Sequence, residues 1–179
     1  MALKLALVCG ILSPLLYIAM IFFVPTLWLG TACTLLMAAF GWGVWRSAGH
    51  NRALHAVGGL ILVHGLIGLY WPPMHVRGAE LTLTDTMHIV WSMATVLLMT
   101  LAMGFGAIVF GSRFRLYSIA TLGILLVSGA LAGMDGPRIA ANLPTPWVGI
   151  WQRISIVALM LWLVVLATRL LRAPTDRPA

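Results

Sequence analysis

The sequence predicts an all-α fold, a polytopic transmembrane helical bundle with about six spans. Composition is the first ground. Of 179 residues, 61% are hydrophobic and 8% are charged, whereas a soluble globular chain carries about a quarter charged residues. Eleven basic and four acidic side chains cannot supply a polar coat, but hydrocarbon accepts a helix that is apolar all round. The second ground is spacing. Six apolar segments meet or approach the ~20 residues that a bilayer core of ~30 Å requires. The third is the placing of charge. The net charge of +7 is scattered in ones and twos between apolar runs, not gathered on one solvated face. That excludes a nucleic-acid surface and makes membrane lipids the expected partners.

The predicted spans are about 5–24, 27–45, 54–71, 87–110, 115–134 and 148–169, in a single domain over 1–171 with a polar tail over 172–179. The first begins like a signal peptide, after Lys4. It has no convincing small-x-small cleavage site, and its apolar run continues through Phe22 and Phe23, so it is read as an uncleaved span. Cys9 and Cys33 lie inside apolar runs without a CxxC motif and are expected to be buried apolar residues. Val24-Pro25-Thr26 interrupts a stretch from Leu5 to Val44 that is too long for one crossing; proline removes a donor and restrains its predecessor.

Trp45 to Arg52 holds glycine, polar residues and two arginines, and separates the second and third spans. A longer loop runs from Pro72-Pro73 to Thr86, with Thr84 or Asp85 expected to cap the fourth helix by accepting from its free N–H groups. Gly111 to Arg115 forms a short turn, and Asp135 to Pro146 a second long loop before the sixth span.

Charge sets the expected orientation. With the N-terminus inside, Lys4, Arg46, Arg52, Arg113, Arg115, Arg169, Arg172 and Arg177 fall inside, against Arg77, Arg138 and Arg153 outside. This satisfies the positive-inside bias, so both termini are expected in the cytoplasm, in a bacterial cytoplasmic (inner) membrane. Trp45, Tyr70, Trp71, Trp91, Trp147 and Trp151 fall near the interfaces, where their amphipathic rings are favoured. Gly129 and Gly133 form a small-xxx-small pattern that serves close internal packing or a homo-oligomer contact.

Polar groups concentrate at the outer end: His75, Arg77, Glu80, Asp85 and His88, then Asp135, Arg138, Asn142, Gln152 and Arg153. Asp85 and His88 share a helix face at i,i+3. That pair suits acid/base chemistry or a divalent metal, or else a helix cap beside an interfacial histidine. Arg153 is expected to pair with Glu80, Asp85 or Asp135, to snorkel, or to hold an anionic lipid phosphate or substrate. His64 is isolated within a span, as a hydrogen-bonded core residue, a proton-transfer group or a ligand to metal or haem. His55 lies nine residues earlier, ~13.5 Å along the helix, so those two cannot share a metal; His50 and His55 fall near the inner interface. The candidates are therefore His64, Asp85 and His88 for catalysis, Asp85 and His88 for a metal, and His75, Asp135, Arg138 and Arg153 for a ligand. No HExxH, GxSxG, GxxxxGK or CxxCH motif is present, and the sequence specifies no cofactor.

Gly41-Trp42-Gly43-Val44-Trp45, Leu69-Tyr70-Trp71-Pro72-Pro73-Met74-His75 and Asp85-Thr86-Met87-His88 resemble segments of DUF998, a bacterial integral-membrane family of unknown function. The resemblance continues through Arg113-Phe114-Arg115-Leu116-Tyr117, Pro137-Arg138-Ile139-Ala140-Ala141-Asn142 and Trp151-Gln152-Arg153, covering most of the chain from about residue 34 onward. It implies a multi-span membrane protein and supplies no reaction. Members look like proteins with a polar segment after the first span, of the form Ser-x-x-Ile/Val-Ser-Glu-Leu. This chain passes almost directly from Phe23-Val24-Pro25 to Trp28-Leu29, so a site built by that segment would be altered here.

The leading functional expectation is binding or passage of a small or lipid-like ligand at the outer polar end. A metal-assisted intramembrane hydrolase is the second, using Asp85, His88 and one of His64, Glu80 or Asp135. A structural or accessory membrane protein is the third.

Overall fold

The computed structural model describes residues 1–23, 27–74, 82–141 and 143–173. Among them the secondary structure is entirely helical: α1 (Ala2–Phe22), α2 (Leu27–Arg46), α3 (Arg52–Ile67), α4 (Leu83–Val109), α5 (Ser112–Met134), α6 (Gly136–Ala140) and α7 (Val148–Arg172). Five of these are long and apolar enough to cross a membrane, and α3 is a shorter apolar helix of 16 residues. At 1.5 Å per residue α3 extends ~24 Å. A bundle of about six spans fits this architecture. The break at residues 24–26 lies outside the described residues.

The six long helices close into a ring. Each packs on its neighbour in chain order from α1 to α5, α7 packs on α5, and α1 packs on α7. The pairs Ala6 with Gly43, Ala38 with Gly65, Ile67 with Trp91, and Ser128 with Ser155 show successive helices running antiparallel. The ring consequently has two ends. Both termini of the bundle, with Lys4, Arg46, Arg52, Arg113, Arg115, Arg169 and Arg172, lie at one, called the basic end. The α3–α4 and α5–α7 connections lie at the other, the loop end.

Local chemistry sets the helix limits. Asn51 caps α3 by accepting from the Leu54 backbone N–H at 3.0 Å, after a tight turn in which Gly49 takes φ 53°, a conformation glycine adopts without steric cost. The third span was expected to run to residue 71, but α3 stops at Ile67 and Gly68 forms its C-cap. Pro72 disfavours helix at Trp71 and would clash with the Gly68 carbonyl in a continued helix, so the helix cannot run through to residue 71. The cap of α4 is also displaced from expectation. Thr82 is the N-cap, and Asp85 occupies the third position of a reciprocal capping box. Part of the second long loop is helical, because Pro137 in the first turn of α6 needs no N–H partner there and its ring presets φ.

The tightest contact is the α2–α3 seam. Gly41 meets the backbone of Leu62, Gly58 that of Trp45, and Gly65 that of Ala38. Missing side chains let these backbones touch, which is how helices gain dispersion contact in lipid. Gly129 and Gly133 do not play this part: both are exposed, and a methyl group on either would meet nothing within 4 Å. The expectation that they serve close internal packing is therefore corrected. On that stretch of α5 the contact with α7 is carried by other positions, including Ser128.

Trp162 is the largest fully buried side chain. Its indole N–H donates to Ser118 Oγ at 2.9 Å, its ring lies 6.1 Å from that of Phe114, and Gly106 of α4 makes room for its edge. A polar atom on a buried aromatic ring usually finds such a partner. Cys9 and Cys33 are both buried and free.

Candidate functional site

Burial is distributed unevenly along the bundle axis. In α1 the buried residues end at Pro14, and in α7 they begin at Leu159. Beyond Pro14 in α1 and before Leu159 in α7 no residue is buried, while the stretches toward the basic end are packed with Leu7, Cys9, Leu163, Leu166 and Ala167. A helix repeats its face at spacings of three, four and seven residues, so the composition of each core-facing stripe can be followed from one end to the other.

On α7, Gln152 stands seven, eleven, fourteen and eighteen residues before the buried Leu159, Leu163, Leu166 and Leu170. Arg153 stands in the same relation to Met160 and Ala167. Both are exposed. The face that is covered at the basic end is therefore uncovered where it carries an amide and a guanidinium. Arg153 Nη1 donates to the Gly149 carbonyl of its own helix at 3.1 Å. The expected ion pair with Asp85 or Asp135 does not form; Asp135 instead lies 3.9 Å from Arg138.

The other stripes change in the same direction. His64 of α3 follows Val57 by seven residues and Ile61 by three, both fully buried. Its Nδ1 is sealed from solvent and makes no hydrogen bond among the described residues, an unusual state for a buried polar atom. On α4, His88 precedes Thr95 by seven residues and Ala102 by fourteen, on the buried face. His88 Nδ1 contacts the Pro72 carbonyl at 2.7 Å. A carbonyl only accepts, so Nδ1 carries a hydrogen and donates it. Trp71 holds the ring edge-on at 5.4 Å, and Trp91 donates to the Ile67 carbonyl at 3.2 Å, tying the end of α3 to α4.

The described residues of the candidate group each have contacts of their own. Asp85 is buried and accepts from the Thr82 N–H at 2.8 Å and the Thr82 hydroxyl at 2.7 Å. These contacts are those of a helix cap, and His88 Nδ1 meets the Pro72 carbonyl. Arg138 Nε donates to the Pro144 carbonyl at 3.0 Å, bracing the loop between α6 and α7. Among the described residues no group of three or more His, Cys, Asp or Glu converges as a metal site would require. His75, Arg77, Glu80 and Asn142 lie outside the described residues. His50 is exposed and His55 approaches the Asn51 carbonyl at 3.2 Å, both at the basic end.

Sequence reasoning passed over two polar contacts inside the bundle: Trp162 with Ser118, and Ser128 with Ser155, whose hydroxyls lie 2.7 Å apart. The signal was present as serines on the buried stripe of α5, at positions 118 and 128.

No curated protein and no solved structure matches the chain. Residues 21–169 match the family described as "Protein of unknown function (DUF998)". A match over that much of the sequence, on a bundle of this helical architecture, places the protein in the DUF998 family.

Proposed function

We propose that this membrane protein binds a small or lipid-like anionic ligand in the polar space at the loop end of its helix ring. One observation carries the proposal: Gln152 and Arg153 continue the core-facing stripes of α7, yet stand exposed. A cation on an uncovered inward face is available to an anion, and charge within a membrane bundle generally marks a path or a binding site. The Gly149 carbonyl occupies one arm of the Arg153 guanidinium, and the fork has five N–H donors in all. Gln152 adds an amide beside it on the same helix, so a phosphate or carboxylate carrying hydroxyl groups suits the pair. Below it the stripes become apolar with Ile61, Met99 and Leu163.

The test is Arg153→Ala, with retention of co-purifying lipids and small molecules measured by native mass spectrometry. Loss of a charge-assisted contact reduces occupancy about tenfold or more. Unchanged retention in a variant with wild-type helicity removes the anion-binding role.

The same proposal places the chain in the bacterial cytoplasmic membrane with both termini in the cytoplasm. Support comes from the seven described cations at the basic end, where no described acid lies, in keeping with the positive-inside bias. Alkaline phosphatase fused after residue 179 should be inactive, and active when inserted at residues 75–81. The reverse pattern inverts the orientation and moves the ligand space to the cytoplasmic side.

A further inference from the structure

At the basic end, far from the loop-end space, an open cavity of about 260 Å³ lies between the α4–α5 turn and the end of α7, lined by Gly111, Ser112, Phe114 and the exposed Arg113 and Arg169. Arg113 comes from α5 and Arg169 from the last turn of α7. Neither guanidinium makes an ion pair or hydrogen bond among the described residues, whereas the neighbouring Arg115 reaches the Ala107 carbonyl at 3.4 Å. The floor is fixed, because Phe114 is buried against Trp162, which is itself bonded to Ser118.

The electrostatics of this cavity are one-sided. Two unpaired cations from different helices line it. The described acids, Asp85 and Asp135, are both at the opposite end of the bundle. The first turn of α5 has no acidic residue and no side-chain cap, so the positive helix end adds to the arginines instead of offsetting them. Such a concentration of like charge is relieved by a bound anion. The guanidinium fork matches phosphate oxygens bidentately, and the volume is slightly below the range of drug-sized sites, the scale of a headgroup.

We propose that Arg113 and Arg169 form a binding site for a phosphate-bearing anion, supplied either by the headgroup of an anionic phospholipid or by free phosphate. The two arginines grip the phosphate above the Phe114 floor, and Ser112 and Arg113 belong to the first turn of α5, whose leading N–H groups have no partner within the helix.

The test uses the full-length protein in detergent, titrated with phosphatidylglycerol, phosphatidylcholine and inorganic phosphate and read by native mass spectrometry. Arg113→Gln and Arg169→Gln should each weaken phosphatidylglycerol binding about fivefold, and the double variant about twentyfold. Arg46→Gln with Arg52→Gln removes the same charge from the same end outside the cavity, and should change binding less than twofold. Competition by millimolar phosphate identifies the free anion as a ligand of the site; phosphatidylglycerol binding unaffected by phosphate identifies the lipid. Equal losses in the cavity and control pairs overturn the site in favour of diffuse charge. A measurement on the unsubstituted protein guards against misfolding. Phosphatidylglycerol or phosphate should shield Arg113 and Arg169 from phenylglyoxal more than Arg46 and Arg52, and equal shielding overturns the proposal.

Discussion

Near the basic end, α2 and α3 approach so closely that Gly58 lies against the Trp45 backbone. Toward the loop end, Gly129 and Gly133 of α5 have nothing within 4 Å of where a side chain would begin. The same residue type thus serves opposite conditions in one bundle. The contrast extends to α1 and α7, which bury no residue beyond Pro14 and before Leu159. One half is a packed apolar plug around Trp162, Leu163 and Leu166. The other presents His64, His88, Gln152 and Arg153 on the continuation of the same faces. Packing density, more than residue type, distinguishes a structural region from one able to receive a ligand.

Substitutions can break or sharpen this comparison. The largest effect is expected at the seam. A methyl group on Gly65 would lie 2.5 Å from the Ala38 backbone nitrogen, and backbone cannot swing aside as a side-chain tip can. Gly65→Ala should therefore lower stability by about 1–3 kcal/mol, the usual cost of overpacking, measured as the midpoint of unfolding in mixed micelles. A midpoint equal to that of the parent would show that the seam tolerates separation.

A smaller loss is expected at the loop end from Asp85→Ala. This removes the acceptor for the Thr82 N–H and hydroxyl, and helix caps contribute about 1 kcal/mol. The variant also sharpens the choice between a cap and a metal ligand. Metal content measured by mass spectrometry should be the same in parent and variant; a stoichiometric divalent metal lost with Asp85 would favour the hydrolase reading.

The smallest effect is expected for Gly133→Ala. The position is open, so the methyl group meets no neighbour, and alanine favours helix over glycine by up to about 1 kcal/mol. Stability should hold or rise slightly in the same micelle assay. A clear fall, or a loss of dimer in cross-linking, would reveal a contact between copies at this face.

Much of the fold was legible before any coordinates. The six spans, the breaks at Arg46–Arg52 and Gly111, and the clustering of cations at one end all follow from hydropathy and charge. Individual ends were less so, since α3 ends at Ile67, four residues short of the expected limit. The candidate site was legible as a list of residue types and not as a grouping. Asp85 and His88 share a helix face, but each turns to its own partner, Thr82 and Pro72. Arg153 finds a carbonyl of its own helix where an acid was expected.

By itself, the sequence determined the apolar, helical character of this protein, the approximate number of long helices and the end at which charge gathers. Those properties depend on sums over whole segments, which no rearrangement of neighbours alters. Only the tertiary structure decided which glycines are contacts, that Trp162 is bonded to Ser118, and that the inward faces stay uncovered at the loop end. Each of these depends on which helix stands opposite which, and that distance is fixed by side chains far apart along the chain.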